Sequence, residues 1–258
     1  MNYMNLSLAW MGALNMALAL SGCTNGIETG LSAPEGIPVT VFAEISPVTK
    51  SGEAVSSDNS FDRTFFLSGD QIKVTRTKKA SGTAAPQSAS YRYDGTSAWT
   101  VVGTSPVTLE PAVTYSAQFP ADYSSINQFQ TTSAAYLASN LLKTGDATSS
   151  DGTLDFTSSG KPFTHVNSKL TLMFTVKRET SIANDAVTVA ATGIRTAVST
   201  NQTITLYRPY PGDASRKYEW CGILRAVGGS MGTSVTDLTV SLTCDGVTYK
   251  ATLTGCAL

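Results

Sequence analysis

The fold class of this chain is decided by residues 238–253, which read LTVSLTCDGVTYKATL. Apolar and polar side chains alternate in both halves of the segment, as they do in strands that bury one face. The two halves flank Asp245-Gly246, and a two-residue turn of type I′ needs positive φ at both central positions, which Asp-Gly tolerates. The segment therefore predicts a β-hairpin with strands at 238–244 and 247–253.

The same alternation recurs along the chain ahead of this hairpin. The strands that it predicts lie at 39–45, 72–75, 91–93, 99–102, 115–119, 170–176, 186–191, 203–207 and 220–227. The run at 170–176 is the strongest strand signal of the first half, and we expect it to be a central strand. Helical spacing of apolar residues at 133–142 predicts one short helix.

Short strands separated by turn clusters are typical of β-sandwich proteins. The chain has 258 residues, which is enough for two such units behind an N-terminal leader. We therefore expect an all-β protein with an N-terminal sandwich at 39–180 and a C-terminal sandwich at 181–258.

The N-terminus carries an export signal of the lipoprotein type. An apolar run from Leu6 to Leu20 ends in Leu20-Ser21-Gly22-Cys23, although no Lys or Arg precedes it. The run is shorter than the about 20 apolar residues that a membrane-spanning helix requires, and small residues follow it as at a cleavage site. We expect 1–22 to be a signal peptide, Cys23 to be lipidated, and 23–38 to form a flexible tether.

Composition and motifs disfavour several classes of function. Charged residues make up 14% of the chain and the formal net charge is -1, so no basic surface is predicted for nucleic acid. His165 is the only histidine, and no G-x-S-x-G motif is present, which disfavours hydrolytic triads. We expect neither catalytic residues nor a cofactor.

Metal binding is also disfavoured. Cys221, Cys244 and Cys256 lack C-x-x-C spacing, and the sequence leaves open whether two of them form a disulfide or all are buried thiols. Three aspartates in the region 146–155 could serve a calcium loop, but the EF-hand pattern and its closing glutamate are missing. Turn formation is the favoured role for these aspartates.

Aromatic residues allow two interpretations. A platform for sugar rings could be built from Tyr91, Tyr93, Trp99, Tyr207, Tyr210, Tyr218 and Trp220. Alternating aromatics on strands more often pack in a sandwich core or pair across strands, and we favour that interpretation.

Five ordered stretches resemble the fimbrillin family, the lipoprotein-derived type V pilins with their anchor and tip relatives. They are FLSGDQIKV at 66–74, YRYDG at 91–95 with Trp99, YSAQFP at 115–120, YLASNLL at 136–142 and FTHVNSKL at 163–170. The resemblance covers 39 to about 180, whereas the C-terminal half is similar only in its strand pattern.

The resemblance implies two transthyretin-like Greek-key β-sandwiches, exported as a lipoprotein to the outer membrane and present at the cell surface or in a fimbrium. In polymerising members a trypsin-like protease cuts after a basic residue and removes the first strand, and a strand from a neighbouring subunit fills the groove. Lys50 is the candidate cleavage residue, although the family usually uses arginine. Between Cys23 and Arg63 the only basic residues are Lys50 and Arg63 itself.

The resemblance also assigns a structural role to Phe163, His165, Lys169 and Leu170, which introduce a central strand of the N-terminal domain. Asn140 stands where the family usually has aspartate.

At the other end, five residues follow Leu253, whereas a stalk subunit needs a C-terminal strand to donate. The sequence is therefore either truncated or that of a tip or anchor subunit.

We expect a structural or adhesive fimbrial subunit whose partners are other fimbrial subunits, joined by donor-strand addition, and the outer membrane, contacted through lipid on Cys23. Surface glycans or proteins of a host or of bacteria are further expected partners. The alternative is a stand-alone glycan-binding surface lipoprotein.

Overall fold

The chain folds as an all-β protein with one short helix, which confirms the predicted fold class. The computed structural model describes residues 36–46, 63–77, 86–176, 181–195, 201–225, 234–235 and 237–257. The helix is α1 (Ser133–Ser139). The strands of the first half are β1 (Thr40–Ala43), β2 (Gln71–Arg76), β3 (Gln87–Tyr93), β4 (Trp99–Val101), β5 (Tyr115–Phe119), β6 (Leu142–Lys143), β7 (Thr153–Phe156), β8 (Thr164–His165) and β9 (Ser168–Met173). Those of the second half are β10 (Val187–Thr192), β11 (Asn201–Thr205), β12 (Glu219–Leu224), β13 (Ser234–Val235), β14 (Leu238–Cys244), β15 (Val247–Leu253) and β16 (Cys256–Ala257).

A first apolar core lies between a six-stranded sheet and a two-stranded sheet. The larger sheet has the order β4-β3-β2-β5-β6-β8, and the smaller one pairs β1 with β7. Ile72 and Val74 alternate with polar residues in β2 and are fully buried against Leu154 and Phe156 of β7 in this core. The period-two pattern thus places one face of each sheet inward.

A second apolar core lies between the sheet β11-β10-β14-β15 and the pair β12-β9. Every residue of β12 is buried, with Trp220 at 0% exposure. Residues from much earlier in the chain join this core, including Ile126 and Tyr136. The expected division near residue 180 stays a prediction, and the second core draws on residues from both sides of it.

The hairpin at 238–253 has the predicted turn and register. Asp245 and Gly246 have φ of 50° and 75°, the positive values that a type I′ turn needs. Cys244 pairs with Val247, and the ladder continues to Leu238 opposite Leu253.

Helix α1 is shorter than predicted. Its N-cap is Thr132, whose hydroxyl accepts a hydrogen bond from Ala135 N at 3.2 Å. The helix ends at Ser139 instead of Leu142, because Leu142 pairs with Phe119 as part of β6. Apolar spacing continues through Leu142, but pairing with a distant strand determines the backbone there.

Two expectations about strands were wrong. The run at 170–176 is not central, since β9 pairs with β12 alone among the described strands, and Met173 at its end is 69% exposed. The second concerns a strand that the sequence did not predict, because the region 146–155 was interpreted only through the turn roles of its aspartates and its end belongs to β7. Leu154 and Phe156 alternate with Thr153 and Asp155, a strand pattern concealed by the Asp and Gly residues just before it.

Candidate functional site

The first strand lies in a groove of the first core. Val39, Val41 and Ile45 point inward and are 5%, 2% and 5% exposed. Phe42, between them, is 44% exposed. Burying a valine or isoleucine side chain is worth about 1.5–3 kcal/mol, so this segment contributes substantially to the core around it.

One edge of the first strand bonds to β7 and the chain around it. The pairing is parallel, with Val41 opposite Leu154. Thr40 N donates to Gly152 O at 2.8 Å, and Glu44 N donates to Phe156 O at 3.0 Å. This edge is therefore satisfied along the whole strand.

The opposite edge bonds to the segment 107–109. Val39 N donates to Val107 O at 3.0 Å, and Leu109 N donates to Ile37 O at 2.7 Å. Val107 and Leu109 are both fully buried. This segment is not among the strands predicted from the sequence, although Val107-Thr108-Leu109 alternates in the manner of a short strand.

Beyond β1 the chain contacts Phe163. Phe163 N donates to Glu44 O at 2.9 Å, and Ser46 N donates to Phe163 O at 2.8 Å. The Phe163 ring is fully buried and packs edge-on against Phe66, with centroids 5.3 Å apart. Hence Phe163 contributes its ring to the first core and its backbone to the end of the first strand.

A segment with backbone bonds on both edges and alternate side chains in core pockets has the chemistry of strand addition. The backbone bonds supply affinity for any extended chain, and the pockets select its side chains. We call the surroundings of residues 36–46 the first-strand groove. It is bounded by 107–109 on one side and by β7 and Phe163 on the other.

The turn after β7 contacts residues 36–46, since Ser158 N donates to Glu44 Oε2 at 3.1 Å. Asp155 Oδ1 accepts a hydrogen bond from Thr157 N at 2.9 Å, and Lys161 N donates to Asp155 O at 3.2 Å. Bonds from the hydroxyl and N–H of Thr157 lower the pKa of Asp155, because they stabilise its charged form. A Cβ on Gly160 would overlap Asp155 O, so only glycine fits this turn.

His165 lies in the part of the chain that the resemblance marked as structural. Its Nδ1 is 2.9 Å from Asn140 Oδ1, and its Nε2 is 3.2 Å from Arg63 O. Lys169 and Leu170 follow in β9, where Leu170 packs against the second core. The segment 163–170 thus contributes to both cores, and a structural role for its four motif residues stays our proposal.

Two predicted site residues, Cys23 and Lys50, lie outside the described residues. Cys221 is buried and Cys244 half-buried, and no disulfide joins these two cysteines. The side chain of Cys256 also lies outside the described part of the chain. Within the described ranges, no three His, Cys, Asp or Glu side chains are grouped so that they could bind a metal ion. A search of the same residues for an apolar helix of membrane-spanning length found none.

The two tryptophans of the aromatic set are not available as a platform for sugars. Trp220 is fully buried, and its Nε1 donates to Asn184 O at 3.1 Å. Trp99 is 8% exposed and packs edge-on against Phe66 at 4.9 Å between centroids. The favoured interpretation, packing within the cores, is confirmed for these two residues, which counts against the glycan-binding alternative.

No family model matches the sequence, and no curated protein matches it. The crystal structure of a fimbrial protein from Bacteroides ovatus is similar with a TM-score of 0.39 and 15% identity, over 86% of this chain and 46% of that one. A protein from Bacteroides fragilis, assigned provisionally to cell adhesion, has a TM-score of 0.48 and 16% identity over 86% of this chain and 89% of its own. The chain spans less than half the length of the Bacteroides ovatus protein.

Proposed function

We propose that this chain is a structural or adhesive subunit of a type V fimbria, in the role of a tip, anchor or minor pilin, without catalytic activity. It is exported as a lipoprotein through Cys23 and reaches the outer membrane, where it is tethered at the cell surface or incorporated in a fimbrium. Its partners are other fimbrial subunits, and the two sandwiches at 39–180 and 181–258 form its body.

The observation that carries the proposal is the first-strand groove. Its occupant, residues 36–46, contributes three buried apolar side chains. It bonds to β7 and Phe163 along one edge and, through residues 36–39, to 107–109 on the other. Removing residues 23–50 would leave open edges on 107–109 and on β7, together with empty apolar pockets. Such an edge accepts another extended chain readily.

Lys50 is the proposed point of cleavage, because it lies between the end of the first strand and the start of β2. Cleavage after Lys50 would give a mature chain that begins at Ser51. Retention of Cys23 would instead leave a lipid-anchored subunit whose own first strand fills the groove.

Mass spectrometry of the mature N-terminus in the producing bacterium tests the proposal. We expect assembled material to begin at Ser51 and membrane-bound precursor to carry acylated Cys23. Lys50→Ala should abolish the Ser51 terminus and assembly, and Cys23→Ser should abolish acylation. If acylated Cys23 is the only mature N-terminus and no fibres form, the polymerising role is contradicted and the role of an anchor remains.

A peptide test addresses the groove directly. Protein cut after Lys50 should bind a synthetic peptide of residues 36–46 once its own strand has been displaced. The same peptide with Val41→Asp should not bind, because an aspartate would enter an apolar pocket. Equal binding of both peptides would contradict recognition by the core pockets.

A further inference from the structure

Arg63 enters the fold just ahead of β2 with its side chain fixed. Its Nη1 and Nη2 each lie 3.3 Å from an oxygen of Asp70, and both side chains are 12% exposed. A paired geometry of this kind adds orientation to charge attraction. Asp70 is itself positioned, since its Oδ2 accepts a hydrogen bond from Leu67 N at 2.7 Å.

A second contact restrains the same guanidinium from another strand. Its central carbon lies 5.6 Å from the centroid of the Phe119 ring, within the range of a cation–π interaction. Phe119 ends β5 and is 6% exposed, so the ring is part of the first core. Release of the Arg63 side chain would break contacts with two separate parts of the sheet.

The carbonyl of Arg63 has its own partner. Its oxygen lies 3.2 Å from His165 Nε2, which donates to it when that nitrogen carries the hydrogen. His165 is oriented in turn by Asn140, whose Oδ1 lies 2.9 Å from Nδ1 and whose side chain is buried at 3% exposure. The backbone of Arg63 is therefore attached to β8 while its side chain is attached near β2.

We infer that Asp70, Phe119 and His165 protect the Arg63–Thr64 peptide bond of the folded protein from trypsin-like proteases. Such a protease needs the basic side chain in its carboxylate-lined specificity pocket and the scissile carbonyl in its oxyanion hole. In this fold the guanidinium already faces a carboxylate, and the carbonyl oxygen lies within hydrogen-bonding distance of His165 Nε2. The protease must first break these contacts before water can be added across the bond.

The inference rests on the proposed function in one respect: protection of Arg63 would confine the proposed maturation cleavage to Lys50. Arg63 offers the side chain that such proteases prefer, yet a cut there would remove residues 51–63 as well. If this bond stays intact, Arg63 keeps its contacts with Asp70, Phe119 and His165 after the first strand has been removed.

Limited digestion of the full chain with trypsin tests the inference, with mass spectrometry of fragments over time. Fragments that begin at Thr64 report cleavage after Arg63. Fragments that begin at Thr77 report cleavage after Arg76, which is 8% exposed within β2 and becomes accessible when the sheet opens. The ratio of the two fragments separates local release of Arg63 from unfolding.

In the wild type we expect Thr64 fragments to appear no faster than Thr77 fragments. Asp70→Ala and His165→Ala should each raise the ratio of Thr64 to Thr77 fragments by roughly tenfold. Each variant removes a contact of Arg63, so the locally open form that trypsin cuts becomes more populated. Asp122→Ala, a change at an exposed aspartate, should leave the ratio unchanged.

Rapid cleavage after Arg63 in the wild type would overturn the inference. An equal rise of both fragments in the variants would overturn it too, since that pattern reports unfolding instead of local release. Because the digestion needs neither lipid nor assembly, its outcome is independent of whether the chain polymerises.

Discussion

The side-chain amide of Gln130 takes the place of a neighbouring strand for Ile223. Ile223 N donates to Gln130 Oε1 at 2.8 Å, and Gln130 Nε2 donates to Ile223 O at 2.9 Å. Gln130 is fully buried, and Ile223 is 2% exposed. One side chain therefore satisfies both backbone groups of a residue in β12 that water does not reach.

Gln130→Met should destabilise the protein strongly. The substitution keeps a similar volume but leaves Ile223 N–H and C=O unsatisfied, at about 1–3 kcal/mol for each group. Urea denaturation measures the change in the free energy of unfolding. Gln128→Met, at an exposed position of the same segment, is the control and should change this free energy by less than about 0.5 kcal/mol.

Val41→Ala should weaken the first strand within its groove. The change removes buried methyl groups at a position that is 2% exposed, and we expect a loss of about 2 kcal/mol in the free energy of unfolding. Thr40→Ala, at the exposed neighbouring position, should have little effect. A similar loss of unfolding free energy in both variants would show that burial of the Val41 side chain adds no stability of its own.

Gly160→Ala should distort the turn after β7. The new Cβ would overlap the backbone oxygen of Asp155, so the backbone itself must move, at about 1–3 kcal/mol. A thermal melt would register this as a lower Tm. Gly212→Ala provides the comparison, because no atom lies within 4 Å of its added Cβ, and an unchanged Tm is expected there.

Acid should remove the contribution of Asp155 to stability. Its pKa in the folded protein is lowered from the ordinary value of 3.8, so its stabilising effect is complete above that value and is lost as the pH falls through the lower folded pKa. Asp155→Asn should therefore be less stable than the wild type at pH 7, and the difference should shrink in strong acid. Urea midpoints across this range measure it, and a constant difference would contradict the linkage.

Local turn chemistry explains why the hairpin at 238–253 could be predicted residue by residue. Asp245-Gly246 and the alternation beside it are contained in sixteen consecutive residues, and the observed strands have the predicted bounds. The burial of Val39, Val41 and Ile45 could be predicted for the same reason, since period-two alternation is also a local signal.

Contacts between distant residues explain what the sequence did not reveal. The partner of β1 is β7, more than a hundred positions later, and nothing near Val41 indicates Leu154. The pairing of Gln130 with Ile223 spans 93 positions. The end of α1 likewise depends on Phe119, because periodicity alone extends the helix through Leu142.

The parallel register of β1 with β7 has a mechanical consequence. Force applied along β1 loads its hydrogen bonds to β7 in shear, so these bonds resist together. Force that pulls the ends of the β14–β15 hairpin apart meets one pair of residues at a time, and β15 pairs with β14 alone among the described strands. A strand in the position of β1, whether the chain's own or a neighbour's as proposed, therefore withstands tension better than the outer strand of that hairpin.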